Sequence, residues 1–271
     1  MVKMIPNNIS IASSKNTSSN LAELPTAILL AGGLSTRMGC CKQLRPLCGK
    51  PLIRYVLETL LEAGLTYLVI TVNAETQQPI EAIIDQLRQK HAVSDSSLQG
   101  AAAEAGISQP VRTSNSFRAF SPFRCDIVLN PEPERGQGHS AALAVQAACA
   151  RHQELLAANT ACIGTPSGFL FCTADQPFLQ ANSVRELCTM FRYNSGNIVS
   201  AAFNGKHCSP VIFPVALADE LSRLDGNIGG RTVMNAHPDL IVYSPLHSEM
   251  EAFDIDTPED FKRAEKYVSG T

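Results

Sequence analysis

The chain has 271 residues, 45% of them hydrophobic and 17% charged, with a formal net charge of −3. That size holds one large α/β domain or two small ones, and the mix is that of a globular protein with a substantial core. No global basic field exists to hold nucleic acid, so any bound anion must be held by local cations.

Residues 1–24 are Ser/Asn-rich, lack the apolar stretch of a signal peptide, and read as a polar tail. Residues 25–271 read as one domain. Its apolar runs are far shorter than the ~20 residues of a membrane span. Nine cysteines occur without a CxxC pair. Buried free thiols in a reducing cytoplasm fit that pattern best, and the adjacent Cys40 and Cys41 read as small fillers.

In chain order, "TAILLA" predicts a buried strand. "PLIRYVLETLLEAGL" predicts a helix with Leu52, Val56, Leu57, Leu60 and Leu61 on one face and Gly64 as its C-terminal cap. "TYLVITVN" is a β-branched strand, and "QPIEAIIDQLRQK" an amphipathic helix ending near Lys90. Residues 91–123 are Ala/Ser-rich with little periodicity and read as an insertion. "CDIVLN", "GFLFCTAD" and "DLIVYS" are further strands, and "HSAALAVQAACARHQELLAA" and "NSVRELCTMFRYN" further helices. "NIVSAAF" and "SPVIFP" pair around an Asn204-Gly205 turn. "VALADELSRL" is helical, and "TPEDFKRAEKYV" is a helix capped by Thr257 with Pro258 in its first turn. The fold class is therefore α/β, a mostly parallel mixed sheet flanked by helices and Rossmann-like in plan. Ligands of such sheets lie beyond the carboxyl ends of the strands.

Four stretches could carry chemistry there. "LLAGGLSTRMGCCKQLRPLCGKPL" leaves a strand for a loop that is both glycine-rich and cationic. Gly32 and Gly33 let backbone approach a ligand, and Arg37 and Lys42 reach phosphate oxygens. The spacing is not that of a Walker A loop. Asp175 falls just past a strand, where it can serve as a Mg²⁺ ligand or as a turn residue. In "AFDIDTPEDF", Asp256 is either a metal ligand or a helix cap, and we expect Asp254 and Asp256 to point to opposite faces. "PERGQGHSAAL" carries Gly136-x-Gly138-x-x-Ala141, a loose dinucleotide fingerprint set back from its strand. We read it as a glycine-rich helix start that touches a base or ribose.

Together these stretches, with "GKHCSPVIFP" and "GNIGGRTVM", resemble the molybdenum cofactor nucleotidyltransferases, most closely the cytidylyltransferase branch, over residues 25 to 268. The resemblance implies a nucleotide-diphospho-sugar transferase type of fold and a Mg²⁺ requirement. It also implies transfer of a nucleoside monophosphate, CMP from CTP, to the phosphate of molybdopterin, with a molybdenum hydroxylase as recipient of the product. Leu30, Ala31, Gly32, Gly33, Arg37, Lys42, Gly136 and Ser140 are then expected at the nucleotide. Arg37, Lys42 and Asp175 would be catalytic, and Asp175 and Asp256 would hold the metal. The alternatives are a GTP-dependent guanylyltransferase, a transferase for a sugar or polyol phosphate, and a non-catalytic cofactor chaperone. Gly33, where the cytidylyl branch usually has alanine, is what keeps GTP in play.

Overall fold

A computed structural model describes residues 24–33, 41–104, 123–157 and 167–270, with side chains of 91–104 excepted. Arg37 and most of the polar tail lie outside the described residues. The elements run β1 (Thr26–Leu30), β2 (Pro46–Leu47), β3 (Lys50–Pro51), α1 (Leu52–Glu62), β4 (Tyr67–Val72) and α2 (Gln77–Glu104). Then follow β5 (Arg124–Leu129), α3 (Gln137–Ala157), β6 (Gly168–Thr173), α4 (Ala181–Tyr193), β7 (Ile198–Phe203) and β8 (Lys206–Pro214). The described chain closes with α5 (Ala218–Leu221), α6 (Arg231–Ala236), β9 (Ile241–Pro245) and α7 (Pro258–Ser269).

Seven strands form one sheet in the order β5-β4-β1-β6-β8-β7-β9. β4 and β6 flank β1 in parallel, β5 adds in parallel to β4, and β9 pairs in parallel with β7. β8 runs antiparallel to both β6 and β7. Strands covered on both faces read as nearly continuous apolar runs. "TAILL" and "GFLFCT" fit that pattern, with Ala27, Ile28, Leu29, Phe169 and Leu170 all at 0% exposure. One core lies between the sheet and α1, α2 and α4, and a second between the sheet and α3, α5 and α6.

Local signals explain the boundaries. α1 buries Leu52, Ile53, Val56, Leu57, Leu60 and Leu61 on one stripe. It stops at Gly64, whose φ of +94° suits only glycine, with Gly64 N–H donating to Leu61 O and Leu65 N–H to Leu60 O. Asn204 and Gly205, both at positive φ, make the tight β7–β8 turn. Thr257 and Asp260 form a reciprocal capping box at α7.

Two expectations are corrected. α2 does not end near Lys90 but continues to Glu104, so the first part of the expected insertion is helical. Its Ala, Leu, Gln and Glu residues are good helix formers, and a helix can run on without an apolar stripe when nothing breaks it. Phe123, placed in the same insertion, is a core residue at 7% exposure. The segment around Asp254 and Asp256 is extended but belongs to no strand.

Candidate functional site

β1 leads through α1 to β4 on one side, while β6 lies on the other. The crevice beyond the carboxyl ends of β1 and β6 is therefore the topological switch point, where such sheets take their ligands. Lys42 comes to it from the loop after β1. Asp175 comes from the turn just beyond β6. Asp256 comes from the segment before α7, where Ile255 is fully buried and its N–H donates to Asp175 O over 3.1 Å.

The three side chains converge. Lys42 Nζ lies 2.7 Å from Asp175 Oδ2 and 2.7 Å from Asp256 Oδ1. The ammonium and the Asp175 carboxylate are each only 14% exposed, whereas Asp256 is 48% exposed. Burial works against the charge on Lys42, but Asp175 and then Asp256 more than offset it and leave its pKa raised. Asp254 joins the group. Its carboxyl is pushed up to about 6, first by crowding against protein, then by Asp175 and Asp256, with a hydrogen bond from Gln176 opposing. It keeps a solvent-facing side despite that crowding. The expectation that Asp254 and Asp256 diverge is thus corrected. Positions two apart on extended backbone share a face, and the buried residue is the one between them, Ile255.

Among the described residues, three carboxylates face one ammonium, an excess of negative charge. Asp175 Oδ1 is enclosed by protein and accepts no hydrogen bond from the described residues. That excess of negative charge suits a divalent cation. Among the described residues no group of three or more His, Cys, Asp or Glu side chains is arranged to hold a metal by itself. Asp175 and Asp256 would need phosphate oxygens to complete the shell, which is how hard Mg²⁺ is usually held.

Behind this cluster lies a framework that the motif reading missed. Asn73 and Asn130 sit just past β4 and β5 at 3% and 1% exposure. Each side-chain oxygen caps the turn that follows, Asn73 taking Glu75 N–H and Thr76 N–H, Asn130 taking Glu132 N–H. Their amides reach inward, Asn73 Nδ2 donating to Gly32 O and Asn130 Nδ2 to Ser140 Oγ. Gln43 Nε2 donates to Gly33 O. Two side-chain amides, Asn73 and Gln43, thereby hold the carbonyls of Gly32 and Gly33. The signal was the asparagine ending both "ITVN" and "IVLN". Ser140 supports this lattice from the start of α3. Ala31 is a core residue whose N–H donates to Thr71 O over 3.0 Å, and Leu30 packs against the second core.

Gly136 and Gly138 serve a close contact within the protein. A Cβ on Gly136 would lie 2.4 Å from Asn227 Oδ1, and one on Gly138 would lie 2.4 Å from Ile228 O. Gly138 N–H donates to Gly226 O over 2.9 Å. Arg135 grips Asp225 with Nε at 3.1 Å and Nη2 at 2.9 Å. The stretch "ERGQG" is thus locked to the loop "DGNIGG", residues 225–230. A second staple joins the acid-bearing segments. Glu251, at 0% exposure, accepts from Gln180 N–H at 3.4 Å and from His247 N–H at 3.1 Å.

The family model of the MobA-like NTP transferase domain matches residues 27–240. No curated protein sequence matches the chain. Among solved structures, a nucleotidyl transferase from Methanothermobacter thermautotroptrophicus aligns with TM-score 0.61 and 15% identity over 92% of this chain and all of its own. Molybdopterin-guanine dinucleotide biosynthesis protein A from Archaeoglobus fulgidus aligns with TM-score 0.52 and 18% identity, covering 91% of this chain and 100% of that one. Rv0371c from Mycobacterium tuberculosis H37Rv, in a complex with manganese, aligns with TM-score 0.52 and 16% identity, covering 90% and 99%. At these identities the likeness is one of fold, and it agrees with the sheet order and with the mostly parallel pairing found here. The sequence match extends from β1 to the residue before β9, and on that ground the chain belongs to the family of the MobA-like NTP transferase domain.

Proposed function

We propose that the chain transfers CMP from CTP to the terminal phosphate of molybdopterin with Mg²⁺, releasing pyrophosphate. The observation that carries the reading is Lys42 held by Asp175 and Asp256 at the switch point of the sheet. A cation and paired carboxylates at one crevice are what in-line phosphoryl chemistry needs, since it calls for positioning and charge neutralisation and little covalent help.

In this scheme a phosphate oxygen of the acceptor attacks the α-phosphorus of CTP. The new P–O bond forms as the bond to the pyrophosphate oxygen breaks, and the leaving group carries away the negative charge. The loop after β1 receives the triphosphate on the N–H groups near Gly32 and Gly33, its backbone steadied by Asn73 and Gln43. Lys42 and Arg37 neutralise charge on the departing phosphates. Asp175 and Asp256 would hold Mg²⁺, which when bound supplies charge neutralisation at the phosphate oxygens. Gly136 and Ser140 set the wall beside the nucleotide through their fixed neighbours.

GTP is the second reading. Among the described residues, a Cβ on Gly33 would make an ordinary contact with Gln43 Nε2 at 3.7 Å. Room admits a purine but creates no preference, which takes a clash or an unpaired polar group. Among the described residues no helix is long and apolar enough to cross a membrane, and we place the reaction in the cytoplasm. The test is pyrophosphate release by purified protein with Mg²⁺, molybdenum cofactor and either CTP or GTP. Preference for CTP is expected. Clear preference for GTP overturns the cytidylyl reading, and no release with either overturns the transfer.

A further inference from the structure

We infer that the Lys42 ammonium and a divalent cation compete for the same two carboxylate oxygens, so that the metal gains its full hold only as Lys42 turns to the phosphates. The inference rests on the nucleotidyl-transfer reading. Its basis is geometric. Lys42 Nζ sits 2.7 Å from Asp175 Oδ2 and 2.7 Å from Asp256 Oδ1, bridging the two acids. Mg²⁺ on the same oxygens would stand ~2.0–2.1 Å from each. Both cations would then fill one small volume, and like charges at that separation repel. The other oxygen of Asp175 is closed off by protein, so it offers the metal no open route around the lysine.

Lys42 has somewhere else to go. It stands beside the glycine loop, and a lysine is a flexible point charge that binds phosphate well. A triphosphate on that loop would draw the ammonium off the acids and expose them in the same motion. Metal and nucleotide would then favour each other's binding, because each removes the obstacle to the other.

The experiment measures Mn²⁺ binding without nucleotide, by the loss of the free-ion resonance signal, in the parent, Lys42→Met, Lys42→Gln and Asp175→Asn proteins. Removing a charge-assisted contact to each acid should tighten Mn²⁺ binding in both Lys42 variants by on the order of tenfold or more. Adding Mn²⁺ should also raise their thermal midpoints more than that of the parent. The two variants guard against one of them failing to fold. Mn²⁺ binding no tighter than the parent's in the folded Lys42 variants, with Asp175→Asn still weakening it, overturns the competition and leaves the metal reading standing. Binding that ignores Asp175→Asn, or no binding in any form, overturns the metal assignment and the competition with it.

Discussion

Glu251 offers a sharp test of how the acid-bearing segments are joined. Its side chain is fully enclosed and accepts N–H groups from Gln180 and His247, at 3.4 and 3.1 Å. Gln180 lies shortly after Asp175, and Glu251 shortly before Asp256. Glu251→Ala leaves two backbone donors unpaired in the interior. Each such group costs about 1–3 kcal/mol, and the longer contact belongs at the low end, so the loss should be about 2–4 kcal/mol. For a chain of this size that is a fall of about 4–16 °C in Tm. Glu251→Gln keeps one acceptor but turns an amide N–H₂ toward one of the two donors, so it should cost about half as much. Urea and thermal denaturation measure both. Pyrophosphate release should also fall in Glu251→Ala at temperatures where it is fully folded, because Asp175 and Asp256 lose their common anchor. An alanine variant within ~0.5 kcal/mol of the parent, the range of ordinary surface changes, would refute the reasoning.

Three other outcomes are expected. Gly138→Ala should destabilise by about 1–3 kcal/mol, as overpacking does, since its Cβ would lie 2.4 Å from Ile228 O and 2.7 Å from Asp225 O; faster proteolysis at residues 225–230 would report the loop coming away. Asp254→Asn should raise Tm in a chelator, because it removes one of three crowded carboxylates, and a lower Tm would show that its charge supports the fold. Gly33→Ala should leave Tm unchanged and sharpen any preference for CTP, read by competition of CTP and GTP in one assay.

Local structure was largely legible in the sequence. "TAILL" and "GFLFCT" announced central strands because burial on both faces favours a nearly continuous apolar run. Gly64, Asn204-Gly205 and Thr257-Pro258 marked ends and turns because their backbone chemistry allows little else. The β2–β3 hairpin was missed although Cys48 and Gly49, both at positive φ, turn it, since its strands are too short to show a period. α6 was missed for the same reason. The site was legible only in its parts. Nothing local says that Lys42 will bridge Asp175 and Asp256, which lie 133 and 214 positions away. Gly136 and Gly138 also meet residues 225–230 closely, a requirement that nothing local in the sequence announces.

The docking of α7 has a consequence for how the protein comes into being during synthesis. Ile255, Phe261 and Ala264 pack with Leu47 and Leu52 of the β2–β3 hairpin and α1, and the Arg45 guanidinium lies 3.8 Å over the Phe261 ring. A late segment of the chain thus clasps an early one, and it carries Asp256 in with it. Domains tend to fold as their residues leave the ribosome, but a contact of such long separation must wait for its later half. All strands of the sheet can be in place while the pair of acids is still a single one. The core of the sheet can therefore form first, while the contact of Lys42 with Asp256 waits for α7 to close on the hairpin.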